Sequence, residues 1–408
     1  MDKIHKLNLI FVDDDINNLR SLKRLFYDMR DEWDFHFAEN GIEALNIIDQ
    51  NSTAVIVSDM RMPNMDGGDL LNIIRERFPA MIRVIVSGYT DQSMITKTVT
   101  SADNFISKPY DVENFKNYLR TLHSALNNIG EQNLSSLGPR TSPIFIFPET
   151  YHQIKEFLKY PQKSLEPLYK LIESDPYLLY KIINLANGDF YNPGVNSLNH
   201  ERAILNLGYE VFRELFIHQN IFQPIPKDVL AACPLTEIYQ HAIFHSNSAR
   251  FLLKEMGKDY ETQNTIYTIT LMLYLPIIVL ILNNPFLYDE LKLHSVFLSP
   301  TASLNQYFLN TRHMSLNQIT ACLFDFAGFP ANPILSKIEF LDADSNPTLP
   351  LDLYTKIVHF TGKLCHELLP YKNWNQIYHF SSVQFQPDEI EPQLLKKICA
   401  QIIRNQNQ

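Results

Sequence analysis

Short apolar runs recur between Leu7 and about Asn127, each ending on a polar residue and each followed by a stretch with helical spacing. Leu7–Val12, Phe35–Ala38, Val55–Ser58, Arg83–Ser87 and Asn104–Ile106 are short and rich in β-branched and aromatic residues, so they read as five strands. Helical stretches begin near Asn17, Gly41, Gly68, Asp91 and Val112. This alternation predicts a doubly wound, five-stranded parallel sheet. In such a sheet ligands bind beyond the carboxyl ends of the strands, where the strand order reverses.

Between Asn128 and Pro143 the pattern lapses. Gly130, Ser135, Ser136, Gly138, Pro139, Ser142 and Pro143 weaken any regular element, and the stretch reads as a linker. From Pro148 onward helical periods such as Leu178, Leu179, Ile182, Ile183 and Leu185 return, with no convincing strand. No repeat of fixed period is visible, which argues against a solenoid. A chain of 408 residues also exceeds the roughly 250–300 residues at which one core stops growing. The expected division is an α/β domain over 1–127, a linker over 128–143 and an all-α domain over 144–408.

Composition narrows the function classes. Apolar content of 45% supports full folding, and a formal charge of −10 argues against broad phosphate-backbone binding. No helix with clustered Arg and Lys stands out as a DNA reader, so no nucleic-acid partner is expected. Cys233, Cys322, Cys365 and Cys399 lack the CxxC spacing of a metal knuckle and read as reduced core thiols. Met1 to Lys6 carries no signal-peptide hydrophobic region. The longest apolar stretch, Leu271 to Leu282, contains Pro276 and falls short of the ~20 residues that cross a bilayer. A cytoplasmic protein without a membrane partner is expected.

The polar residues at the strand ends carry the chemistry. Asp13-Asp14 follows Leu9-Ile10-Phe11-Val12, Asp59 follows Val55-Ile56-Val57-Ser58, Ser87 follows Val84-Ile85-Val86, and Lys108-Pro109 follows Phe105-Ile106-Ser107. Helix capping accounts for one Asp after a strand, but not for Asp13, Asp14 and Asp15 in a row. Carboxylates held together repel by about 4 kcal/mol per pair at ~4 Å and an effective dielectric near 20, unless a cation sits among them. Hard oxygen ligands with room for water suit Mg²⁺.

These residues, together with Met60-Arg61-Met62-Pro63-Asn64-Met65-Asp66-Gly67, resemble the response-regulator receiver domain of bacterial two-component signalling, whose fold is flavodoxin-like. The resemblance implies that Asp59 accepts a phosphoryl group from a sensor histidine kinase or a phosphotransfer protein. It implies that Mg²⁺ is held by Asp14, Asp59 and the backbone carbonyl of Arg61, with Asp13 acting mainly through water. Lys108 would pair with a phosphoryl oxygen, and Ser87 and Phe105 would be the switch residues, Phe105 serving equally well as a core aromatic. Output would be read on the face of the fourth strand, the helix from Asp91 and the fifth strand.

In the second half, Asp175-Pro176 opening a helix, Leu185-Ala186-Asn187 near its end, and Ala203-Ile204 ahead of Leu207-Gly208 together resemble the HDOD domain, a helical relative of the HD phosphohydrolases. A catalytic relative needs His and Asp side by side in the apolar helix that begins near Thr270. Here that stretch reads Leu271-Met272-Leu273-Tyr274-Leu275-Pro276 and holds neither. His245 and His313 match other family positions without an acidic neighbour, and Glu339-Phe340 stands where active relatives carry paired histidines. The resemblance therefore implies a non-enzymatic, metal-free domain that acts by protein contact, on a target such as a cyclic-dinucleotide signalling enzyme. Tyr239, Phe244, Phe251, Tyr274, Phe286 and Tyr288 are core by default, and any exposed subset would be a docking patch.

The alternatives are a receiver-controlled, metal-dependent phosphohydrolase and a nucleotide-binding sensor. Stoichiometric iron or manganese would mark the first, and thermal stabilisation by a nucleotide the second. Kinase, target, sign of regulation and assembly, a homodimer included, stay open at this level.

Overall fold

The computed structural model describes residues 6–88, 99, 101–136, 144–160, 164–187, 198–218, 221–233, 235–283, 308–311, 313–327, 357–358 and 361. The helix expected near Asp91 lies outside them, as do Phe286, Tyr288, Glu339, Phe340, Cys365 and Cys399. The first half alternates β1 (Leu7–Val12), α1 (Ile16–Leu25), β2 (Trp33–Ala38), α2 (Gly41–Gln50), β3 (Thr53–Asp59), α3 (Gly67–Arg77), β4 (Ile82–Gly88), β5 (Asn104–Lys108) and α4 (Val112–Ser136). The strands are all parallel, in the order β2-β1-β3-β4-β5. The chain leaves β1 toward β2 and returns on the other side to β3, so the order reverses between β1 and β3. Asp13 and Asp59 stand at the carboxyl ends of that pair.

One strand residue breaks the apolar pattern. Arg83 in β4 is fully buried, with its guanidinium on the Asp103 carboxylate at 3.2 Å and on the Ser101 carbonyl at 2.7 Å. Its backbone N–H donates to the other Asp103 oxygen at 2.9 Å. A buried ion pair is tolerated only when hydrogen bonds complete it, and here they do.

Two expectations are corrected. The helix from Val112 runs to Ser136, through the first part of the expected linker at 128–143. Leu119, Leu122, Leu126 and Ile129 are buried at spacings of three and four, and this stripe holds the helix past Asn127 more strongly than the lone Gly130 disfavours it. The helical half also contains strands: β6 (Ile144–Ile146) pairs in parallel with β7 (Phe222–Pro224). Ile144 N–H donates to Ile221 O at 2.8 Å and Ile225 N–H to Ile146 O at 2.9 Å. Three-residue strands are too short to leave a period in the sequence.

The remaining elements are α5 (Pro148–Phe157), α6 (Glu166–Glu173), α7 (Pro176–Asn187), α8 (His200–Leu207), α9 (Tyr209–His218), α10 (Lys227–Ala232), α11 (Leu235–Glu255), α12 (Tyr260–Met272), α13 (Leu275–Asn283) and α14 (Leu316–Phe326). Every residue of α7 is buried, which makes it the axis around which the others pack. The stretch Tyr260–Asn283 is long and apolar enough to cross a membrane by composition, but it forms two helices and lies almost wholly inside the fold. Tyr239 and Tyr274 are buried, and Phe244 and Phe251 pack against the core, so none of these four supplies an exposed docking patch.

The two halves touch. Tyr118 on α4 donates its hydroxyl to the Phe326 carbonyl at 3.0 Å, and the Cys322 thiol of α14 lies 3.8 Å from the Ala125 carbonyl. The Asn184 carboxamide of α7 donates to Asp103 O at 3.3 Å and to Ala327 O at 3.1 Å.

The Asp of Asp175-Pro176 is more than an ordinary helix start. Its fully buried carboxylate accepts the N–H groups of Tyr177 and Leu178 and, from the start of α5, that of Phe147 at 2.8 Å. Burial pushes the Asp175 carboxyl up to about 6, against the pull of those three donors. A carboxyl whose folded value exceeds its unfolded one adds stability that is complete below the unfolded value and disappears as pH rises through the folded one. Relative to Asp175→Asn, the wild type should therefore gain up to about 3 kcal/mol between pH 7 and pH 4. Urea unfolding of both proteins across that range checks it, and a flat difference would remove the buried carboxyl as its source.

Candidate functional site

Strand alternation and register assemble the site. Asp59 pairs with Val86, and Gly88 with Lys108, which puts Asp59 and Lys108 on one face of the sheet at its carboxyl edge. Val12 pairs with Ser58, so Asp13, the next residue, arrives beside Asp59. The Lys108 ammonium bridges them, bonded to Asp59 Oδ1 and to Asp13 Oδ2, the latter at 3.1 Å.

Asp13 is 5% exposed and its two oxygens are held from several sides. Oδ1 accepts the Asp15 N–H at 2.9 Å, and the Asn18 carboxamide lies 3.1 Å from Oδ1 and 3.2 Å from Oδ2. The three consecutive acids thus divide their work. Asp15 is the N-cap of α1, accepting from Asn17 N–H at 2.8 Å, while Asp13 faces the cluster. Asp14 is exposed. Among the described residues no three His, Cys, Asp or Glu side chains converge as a metal cage. Asn18 was not singled out by sequence reasoning, although its place in the first turn of α1 directs its side chain back toward the strand end.

The loop after β3 is built for close approach. Arg61 N–H donates to Asp59 Oδ2 at 2.8 Å, Asn64 takes a left-handed φ of 65°, and Gly67 N–H donates to Met60 O at 2.9 Å. A Cβ on Gly67 would lie 2.3 Å from the Asp59 carbonyl oxygen, so only glycine fits without moving the loop. Asp66 then caps α3 through Asp69 N–H at 2.8 Å.

Burial raises the Asp59 carboxyl above its ordinary value, and Asp13 adds to this, while Lys108 and the Arg61 N–H oppose it. For Lys108, burial pulls downward, but the bond to Asp59 and the charges of Asp59 and Asp13 outweigh it and lift the ammonium above its usual range. Tyr110, raised by burial, lies close enough to feel both Lys108 and Asp13, and its ring stands edge-on to Phe115 at 5.3 Å. Two carboxylates, Asp13 and Asp59, face one ammonium and leave a net negative charge among oxygen donors at the strand ends, which suits a hard divalent cation that keeps several waters.

Ser87 and Phe105 lie on the opposite face of the sheet from Asp59. Ser87 pairs with Ser107 and Phe105 with Ile85, which makes them neighbours on one face, both buried. Phe105 is a core aromatic as placed.

In the helical half His241 Nδ1 and His245 Nδ1 lie 2.8 and 3.0 Å from the Tyr274 hydroxyl. His245 Nε2 lies 2.8 Å from the Val358 carbonyl, which only a ring N–H can satisfy. All three side chains are buried. His313 is exposed with φ of 56°.

Two outcomes follow from this geometry. Gly67→Ala should destabilise the first half by about 2 kcal/mol, read by urea unfolding; an unchanged midpoint would contradict the close approach. Lys108→Ala should raise the Asp59 carboxyl further, read by carboxyl ¹³C NMR, and a lower value would contradict the role given to the ammonium.

Residues 9–120 match the response regulator receiver domain and residues 144–322 the HDOD domain. The hydrogenase transcriptional regulatory protein HoxA of Cupriavidus necator is 29% identical over 136 residues, 33% of this chain and 28% of that protein. The transcriptional regulatory protein SrrA of Staphylococcus aureus is 28% identical over 103 residues, 25% of this chain and 42% of that one. The chain thus spans less than half the length of these relatives. Among solved structures, the signal receiver domain of an HD domain-containing protein from Pseudomonas fluorescens is 25% identical, covering 28% of this chain and 93% of that one with a TM-score of 0.27. The chain carries a response regulator receiver domain over residues 9–120, followed by an HDOD domain over residues 144–322.

Proposed function

We propose that Asp59 is the phosphoacceptor of this response regulator and that the HDOD domain gives its output by protein contact rather than by catalysis. The observation that carries the first part is the Lys108 bridge between Asp59 and Asp13 at the strand-order reversal. Receiver domains accept phosphoryl groups from histidine kinases or phosphotransfer proteins. An Asp59 oxygen forms a bond to phosphorus as the bond from phosphorus to the donor histidine nitrogen breaks. Lys108 favours the ionised, nucleophilic form of Asp59 and then pairs with a phosphoryl oxygen.

Receiver domains generally bind Mg²⁺. Here Asp14, Asp59 and the Arg61 carbonyl would hold it, with Asp13 acting through water and fixed by Asn18. When bound, the ion neutralises charge on the transferring oxygens. Ser87, one strand away from Asp59, would turn toward the modified carboxylate, and Phe105 beside it on the same face would follow. The sites of action are then the cytoplasm, a kinase or phosphotransfer donor, and a protein target.

The second part rests on His241, Tyr274 and His245. Both imidazoles hydrogen-bond the one buried Tyr274 hydroxyl, which supports a structural use of these histidines. Protein contact as output is supported by α7 and α14 lying against β5 and α4.

Incubation with Mg²⁺ and a small phosphodonor should add one phosphoryl mass to the wild type and none to Asp59→Asn; mass gain that persists in the variant would sink the assignment. Ser87→Ala should still take up the phosphoryl group but respond more weakly in hydrogen exchange around β4 and β5. Metal analysis of the purified full chain should find no stoichiometric iron or manganese, and either one would favour a hydrolase. Tyr274→Phe should cost about 1–3 kcal/mol of stability, read by thermal unfolding.

A further inference from the structure

We propose that Asn18 is a positioning residue for the divalent cation of the receiver site: its carboxamide holds Asp13 in place whichever partner Lys108 takes, and so sets how tightly the ion is bound. The proposal rests on the phosphoacceptor reading above. Asn18 is exposed in the first turn of α1, and its amide nitrogen is shared between the two Asp13 oxygens, 3.1 Å from Oδ1 and 3.2 Å from Oδ2. This fork is the whole of its side-chain hydrogen bonding among the described residues. Asp15 caps α1, and Leu19 and Leu22 bury its inner face, so the helix does not need the Asn18 side chain.

The other donors to Asp13 differ in permanence. Oδ1 takes the Asp15 N–H at 2.9 Å, a backbone group that stays where it is. Oδ2 takes the Lys108 ammonium at 3.1 Å, but that ammonium is also bonded to Asp59. Once Lys108 pairs with a phosphoryl oxygen on Asp59, its hold on Asp13 Oδ2 weakens. With Asn18 present, Oδ2 keeps a donor through that change. Without it the carboxylate is held at one oxygen only and can turn about its Cβ–Cγ bond.

A carboxylate that acts on a cation through a bound water must keep its oxygen within the narrow range of a hydrogen bond. Groups that orient such carboxylates are worth 10–100-fold in metal affinity or activity. The amide suits the task because it is neutral. A cationic donor at this position would cancel the negative charge that attracts the ion, whereas Asn18 orients Asp13 and leaves that charge in place.

Mn²⁺ is the probe, titrated into the full chain with its free-ion EPR signal recorded and with excess Mg²⁺ as competitor. Asn18→Leu and Asn18→Ala should both bind the ion roughly tenfold more weakly than the wild type. Asn18→Gln, which keeps an amide donor, should lose less. Phosphoryl uptake from acetyl phosphate, counted by mass, should be slow in the Leu and Ala variants at low Mg²⁺ and reach the wild-type rate at saturating Mg²⁺. A general loosening of the fold would lower the maximal rate as well. Wild-type affinity in both Asn18→Leu and Asn18→Ala would overturn the proposal, as would slow uptake that saturating Mg²⁺ does not restore. Absence of uptake in the wild type would instead tell against the phosphoacceptor reading, while the Mn²⁺ titration still decides the part played by Asn18.

Discussion

The site depends on a single cation. Asp13 and Asp59 are brought to one edge of the sheet by strand register, and two carboxylates so placed repel by several kcal/mol in a partly buried setting. Lys108 offsets that repulsion by bonding to both. Its own position is fixed by β5, and its charge is held because the carboxylates lift its ammonium above the ordinary range. The cluster still carries an excess of negative charge, since two carboxylates face one ammonium. The same interaction makes the site sensitive, since any change in the charge of Asp59 must redistribute Lys108.

The strand that carries Lys108 also joins the site to the rest of the molecule. Lys108 ends β5, and the residues on either side of it, Asp103 before the strand and Tyr118 in the helix that follows, hold the helical domain. In that domain every residue of α7 is enclosed, and Asp175 ties its start to α5. A helix so enclosed is fixed within its domain, and its Asn184 carboxamide reaches the Asp103 carbonyl of the receiver.

Much of this was legible in the sequence because strands buried on both faces write themselves as continuous apolar runs. Asp59 and Lys108 could be placed from the ends of those runs alone, and the runs fell within a residue or two of the observed strands. What escaped notice was local or long-range. The three-residue pair β6 and β7 is too short for periodicity, and the helix through Asn128 was hidden by Gly130, whose cost is outweighed by Ile129 and its buried neighbours. Asn18 was missed because its importance lies in where the first turn of α1 aims a carboxamide. Asn184 reads as one polar residue in an apolar helix, and only the assembled chain reveals the two carbonyls it joins.

The central claim is that charge at Asp59 is read by the helical domain through β5 and α4. Hydrogen–deuterium exchange of the full chain, before and after phosphoryl transfer to Asp59, tests it most directly. Backbone amides in residues 116–127 and 316–327 should lose protection together once Asp59 is modified, while those of β1 and β3 stay protected. Unchanged exchange in both segments, on protein shown by mass to carry the phosphoryl group, would contradict the account.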